Sequence, residues 1–166
     1  MKADKIYLVG FMGAGKSTVA RTLAKRLDWR VEDIDAQIEQ RERSDISSIF
    51  RTKGEPYFRE LERQALLDVR FLRGTVVATG GGTFVDPRNR DLMLQDGLVV
   101  WLDVPFRTVL DRVPLDGRRP LAADRATLEA LFQQRRATYA LAHVRIDASR
   151  GSADTIAEQI VDALPR

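Results

Sequence analysis

Gly10-Phe11-Met12-Gly13-Ala14-Gly15-Lys16-Ser17 meets every fixed position of the pattern G-x-x-x-x-G-K-[ST]. Its flanks decide what the match means. Ile6-Tyr7-Leu8-Val9 before it is an apolar run short enough for a buried strand. After it, Thr18 to Leu27 puts Val19, Leu23 and Leu27 on one helical face, with Arg21, Lys25 and Arg26 elsewhere. Strand, glycine-rich loop and helix is the context in which this pattern forms a phosphate-binding loop. Glycines let successive backbone N–H groups converge on a polyphosphate, and the helix N-terminus adds partial positive charge. Gly13, Ala14, Gly15, Lys16, Ser17 and Thr18 are therefore expected to hold a nucleoside triphosphate. Lys16 would reach the β- and γ-phosphates, and the Ser17 hydroxyl would hold Mg²⁺.

Outward from this loop the chain alternates strand and helix. Strand candidates are Ile6–Val9, Arg30–Ile34, Thr75–Thr79, Leu98–Leu102 and Val144–Asp147. Helical periodicity covers Ser17–Leu27, Ala36–Arg41, Ile46–Thr52, Glu55–Leu72, Arg88–Gln95, Pro105–Val113, Ala126–Ala142 and Ala153–Leu164. Val76-Val77-Ala78 and Leu98-Val99-Val100-Trp101-Leu102 are continuously apolar, as strands covered on both faces must be. The alternation predicts a parallel sheet between two helical layers, a three-layer α/β/α fold with right-handed crossovers. Between Pro114 and Asp124, two prolines, a glycine and the pair Arg118-Arg119 break the periodicity. A long loop in a compact domain is often a lid, and one is expected over about residues 114–125.

Composition narrows the classes. The 166 residues are sufficient for one domain, 1–166, with a substantial core. There is no cysteine, which removes disulfides and thiolate metal sites and fits a cytoplasmic protein. His143 is the only histidine, so a histidine triad or multi-histidine metal site cannot form within one chain. No apolar run approaches a membrane span, and Met1 to Lys5 leads straight into the first strand with no expectation of a signal peptide. The net charge is only +3 and no basic run is interleaved with aromatics, so neither nucleic acid nor membrane is expected as a partner. Basic residues are mostly arginine, which reads either as solvated faces or as planar forks for phosphate and carboxylate.

Open α/β sheets bind ligands beyond the carboxyl ends of their strands, so the polar residues placed there matter most. Asp33 and Asp35 follow the second strand; a helix cap before Ala36–Arg41 is the competing role for Asp35. Thr79-Gly80-Gly81-Gly82-Thr83 follows the third and exposes bare backbone to a small ligand, or is a plain turn. Arg59 and Glu62 stand three apart on a long amphipathic helix, and Arg135 and Tyr139 four apart on a later one. Exposed surface pairs are the alternative for both.

Taken together, Gly-Phe-Met-Gly-x-Gly-Lys-Ser-Thr, Asp33-x-Asp35, Phe58-Arg59-x-x-Glu62, Gly80-Gly81-Gly82, Arg119-Pro120-Leu121 and Arg135 four before Tyr139 resemble the shikimate kinase family from Ile6 to about Leu164. The resemblance implies a P-loop NTPase of nucleoside-monophosphate-kinase-like fold, with a five-stranded parallel sheet in order 2-3-1-4-5. It implies transfer of the ATP γ-phosphoryl group to the 3-hydroxyl of shikimate, with Mg²⁺, in aromatic amino-acid biosynthesis. By motif, Lys16 and Ser17 look like phosphate and Mg²⁺ contacts, and Asp33 like a second, water-mediated magnesium partner. Asp35 resembles the residue that holds the acceptor's hydroxyls, as a base or as a positioning group. Arg59 and Arg135 resemble the grip on the shikimate carboxylate, with Gly81 and Gly82 offering backbone contacts. Arg119 resembles the lid arginine that reaches the phosphates, and Arg112 matches the position that packs on adenine. A monomer is expected.

Two departures stand out: Ala122 replaces a usual leucine after Arg119-Pro120-Leu121, and acidic residues that usually follow the late tyrosine are absent after Tyr139. The chemistry is consistent with the resemblance. A carboxylated polyol calls for guanidinium forks and an acidic acceptor for hydroxyls. Because phosphoryl transfer depends mainly on positioning and charge neutralisation, an aspartate of ordinary pKa, about 4, is expected to suffice. The alternative acceptors are gluconate and aminoshikimate. A non-catalytic nucleotide-binding module would need neither the arginines nor the lid.

Overall fold

Ile6, Tyr7, Leu8 and Val9 are each 0% exposed, because the strand that delivers the phosphate-loop sequence is the middle strand of the sheet. The computed structural model describes residues 3–115 and 124–166. The strands are β1 (Lys5–Val9), β2 (Arg30–Asp33), β3 (Thr75–Ala78), β4 (Leu98–Asp103) and β5 (Val144–Asp147). They run parallel in the expected order β2-β3-β1-β4-β5. The helices are α1 (Lys16–Leu27), α2 (Ile34–Glu42), α3 (Ile46–Lys53), α4 (Glu55–Val69), α5 (Pro87–Asp96), α6 (Phe106–Arg112), α7 (Arg125–Tyr139) and α8 (Ala153–Asp162). A 3₁₀ turn spans Thr83–Val85. Val19, Ala20, Leu23 and Ala24 form the buried stripe of α1, which lies against α8 and β3. Helices α2, α3 and α4 pack on one another beside the β2 and β3 ends and wall off the space opposite the loop.

Boundaries differ from the periodicity where local caps intervene. Ile34 begins α2 rather than ending β2, because the Asp33 side chain accepts from the Ala36 amide and starts the helix there. Helix α4 stops at Val69 and α7 at Tyr139, each about one turn earlier than the apolar spacing suggests. Of the expected lid, residues 116–123 lie outside the described residues, and with them Arg119, Pro120, Leu121 and Ala122.

The amino end of the sheet is closed by a buried polar cluster. Lys5, 2% exposed, donates to the Arg70 carbonyl at 2.7 Å and to Asp96 at 2.8 Å. The Tyr7 hydroxyl donates to the same Asp96 oxygen at 2.5 Å. Burial, then the Asp96 carboxylate, push the Tyr7 phenol well above its ordinary pKa. The cluster ties the ends of α4 and α5 to β1. Asp96→Ala would strand a buried ammonium, and is expected to cost about 3 kcal/mol or more in urea denaturation. Specific turnover of the folded fraction should stay near wild type.

Candidate active site

A cleft of about 950 Å³ opens at the carboxyl ends of β1, β2 and β3. One wall is the phosphate loop. Gly15 takes the left-handed conformation (φ 92°) at the start of α1, and no side chain caps that helix. The first amides of α1 are thus left to the loop hollow, as an anion site requires. Lys16 Nζ donates to the Gly10 and Phe11 carbonyls at 2.5 and 3.1 Å, which keeps its ammonium over the loop. Arg112 Nη1 donates to the Gly13 carbonyl at 2.9 Å, so this residue borders the loop from α6.

Asp33 divides its carboxylate. One oxygen caps α2 at Ala36 N, 3.1 Å away, and the other accepts from Ser17 Oγ at 2.7 Å. The helix-cap role that competed for Asp35 therefore falls to Asp33. Asp35 lies in the first turn of α2, and its Oδ1 is buried with no hydrogen-bond partner among the described residues. Burial first, then the neighbouring Glu62 carboxylate, raise its pKa to about 6, with Lys16 opposing. The expectation of ordinary acidity is thus corrected: low solvation makes Asp35 a stronger proton acceptor than a surface aspartate.

The glycine triplet forms a turn against which two side chains of the cleft are packed. A Cβ at Gly80 would lie 2.8 Å from Asp35 Oδ1, and one at Gly82 would lie 2.6 Å from both terminal nitrogens of Arg59. Only a residue without a side chain lets these two groups approach the backbone so closely. Arg59 donates to Glu62 at 3.1 and 3.3 Å and to Glu55 at 3.3 Å. The pair is no surface ion pair, since the Glu62 side chain is 1% exposed against 27% for Arg59. Burial pushes the Glu62 carboxyl up, against the opposing pull of Arg59 and Thr83.

From the far side, α7 presents Arg135, which is 6% exposed and makes no ion pair with the described residues. Tyr139 lies one turn later, and its hydroxyl donates to the Gly81 carbonyl at 2.5 Å. Burial lowers the Arg135 pKa, as it does for a cation short of counter-charge. Sequence reasoning noted Glu62 and Thr83 but gave neither a role in the site. Their spacing was visible, whereas their burial beside Arg59 depends on how α4 packs on the 3₁₀ turn.

The result is a triphosphate cradle facing a pocket with two guanidinium groups, bare backbone and a poorly solvated carboxylate. Fold and site together define a P-loop kinase acting on a small molecule. The sequence model of the shikimate kinase family matches residues 12–165. A shikimate kinase of Sulfurihydrogenibium sp. is 46% identical over 97% of this chain and 98% of its own length, and one of Persephonella marina is 45% identical over 94% and 96%. The chain belongs to the shikimate kinase family. Among solved structures, shikimate kinase from Acinetobacter baumannii in complex with shikimate superposes with a TM-score of 0.92 at 36% identity, covering 97% of this chain and 92% of that one.

Proposed function

We propose that this chain phosphorylates the 3-hydroxyl of shikimate with ATP, and that Asp35, Arg59 and Arg135 hold the acceptor opposite the phosphate loop. The observation that carries the assignment of residues is the pairing of an unpartnered buried oxygen, Asp35 Oδ1, with a buried guanidinium, Arg135, that lacks a counter-ion among the described residues. A ligand with both a hydroxyl and a carboxylate satisfies the two at once. Arg59 and Arg135 take the carboxylate, and Gly81 and Gly82 offer backbone to the ring hydroxyls. Asp35 accepts a hydrogen bond from the 3-hydroxyl and then its proton, as the new phosphorus–oxygen bond forms and the bond to the β,γ-bridging oxygen breaks.

The nucleotide occupies the loop wall, with Gly13, Ala14, Gly15 and Thr18 around its phosphates. Lys16 moves from the loop carbonyls to the β- and γ-phosphates, Arg112 lies against the base, and Arg119 approaches the phosphates from a lid within 114–125. Ser17 and Asp33 offer a hydroxyl and a carboxylate 2.7 Å apart, a donor set of hard oxygens that fits Mg²⁺ shared with phosphates and water. The ion, when bound, neutralises charge on the β- and γ-phosphates. A monomer is the state proposed. The lack of cysteine supports a cytoplasmic setting. No helix among the described residues is long and apolar enough to cross a membrane.

The test is a coupled ADP-release assay with Mg·ATP and, in parallel, shikimate, aminoshikimate, gluconate and nucleoside monophosphates. Turnover is expected with shikimate, and release of ADP with gluconate alone would refute the assignment of acceptor. Arg135→Leu is expected to raise the KM for shikimate roughly a hundredfold, since it removes a desolvated cation from a carboxylate. The KM for ATP should change little, and steady-state kinetics separate the two.

A further inference from the structure

We infer that Thr83 is a positioning residue for the acceptor site, its hydroxyl holding Glu62 in the orientation that keeps Arg59 against Gly82. The inference rests on the proposed role of Arg59 as a carboxylate contact. Thr83 is 0% exposed, and its hydroxyl donates to Glu62 Oε2 at 2.8 Å. Both Glu62 oxygens in turn face Arg59 Nη1, at 3.1 and 3.3 Å. A buried carboxylate keeps its charge and its place only when its lone pairs are occupied, and Thr83 supplies a donor besides Arg59.

Thr83 is itself fixed from two directions. Its amide donates to the Gly80 carbonyl at 3.2 Å, which closes the glycine turn. Its carbonyl accepts from Asn89 Nδ2 at 3.1 Å, and Asn89, 1% exposed, accepts from Arg63 Nη1 at 3.0 Å. A continuous polar chain therefore runs from Arg63 and Asn89 through Thr83 and Glu62 to Arg59. With the backbone of Thr83 pinned at its amide and its carbonyl, its hydroxyl is held within reach of Glu62.

A competing pull makes this hold consequential. Glu55, half exposed, accepts from Arg59 Nε and Nη2 at 3.3 Å and draws the guanidinium outward along α4. Glu62 draws it inward over Gly82. Weakening Glu62 hands Arg59 to Glu55 and away from the acceptor.

Thr83→Val removes the hydroxyl at nearly constant volume, and Thr83→Ser keeps it while removing the methyl group. Thr83→Val is expected to raise the KM for shikimate on the order of tenfold, as for a lost hydrogen bond to a charged group, with the KM for ATP within about twofold of wild type. Thr83→Ser is expected to stay within about twofold on both. An unchanged shikimate KM in Thr83→Val, or a Thr83→Ser enzyme as impaired as Thr83→Val, overturns the inference. If Thr83→Val does not fold, Thr83→Ala removes the same oxygen without placing a methyl against the carboxylate, and is read the same way. A wild-type enzyme that does not turn over shikimate at all would overturn the underlying reading and this inference with it. Normal wild-type turnover with an indifferent Thr83→Val would overturn this inference alone.

Discussion

Lys16→Met is expected to abolish shikimate-dependent ADP release, with kcat down by about three orders of magnitude or more. The transferring phosphoryl group carries its charge on equatorial oxygens, and fixed cations aimed at those oxygens supply much of the acceleration in such reactions. Lys16 alone among the loop residues Gly10 to Ser17 carries positive charge. Its ammonium rests on the Gly10 and Phe11 carbonyls, so a short swing suffices to reach a bound phosphate. Methionine has a similar length and can occupy the same path without charge. The variant should therefore fold normally, as thermal unfolding followed by circular dichroism would show. Residual turnover within tenfold of wild type would refute the role.

Asp35→Asn should lower kcat roughly a hundred- to a thousandfold, the range for loss of a positioned proton acceptor. Its pH signature is more discriminating. In the wild type, kcat/KM for shikimate should fall as pH drops through about 6, where Asp35 takes up a proton in the free enzyme. The asparagine variant should lack that limb. Stability should move the other way. The folded-state pKa of about 6 lies above the unfolded value, so the contribution of this group is fully present below the unfolded pKa and lost as pH rises through about 6. At neutral pH the ionised Asp35 thus strains the fold by roughly 1–3 kcal/mol. Asp35→Asn should melt higher at neutral pH, with the advantage shrinking in acid. A variant that is both inactive and less stable at neutral pH would contradict this account.

Part of this was legible from spacing and part only from the family resemblance. The strands β1, β3 and β4 and the loop could be read because buried parallel strands are short apolar runs and the phosphate loop has a rigid pattern, whereas the strand order came with the resemblance. Asp35, Arg59, Arg135 and the glycine triplet could be placed in one site once their order along the chain was recognised. What spacing could not show was solvation. Arg59 and Glu62 at three residues apart look the same whether exposed or buried, and only the packing of α4 on the 3₁₀ turn distinguishes them. Between Asp33 and Asp35, which one caps α2 depends on where β2 releases the chain, a matter of one residue. The pKa of Asp35 likewise follows from burial and from charges that α4 and the phosphate loop bring to it, Glu62 and Lys16.

The sheet is unlike at its two ends. At the amino end Lys5, Tyr7, Asp96 and the Arg70 carbonyl satisfy one another. At the carboxyl end Asp35 Oδ1 has no partner among the described residues, and Arg135 makes no ion pair with them. Durability and work are thus assigned to opposite poles of one strand set. Lesions at the lower pole change how many molecules of enzyme a cell retains, while lesions at the upper pole change what each molecule accomplishes. Natural variants of this chain should sort accordingly, into those that a chaperone or a lower growth temperature can rescue and those that only more substrate, or nothing, can.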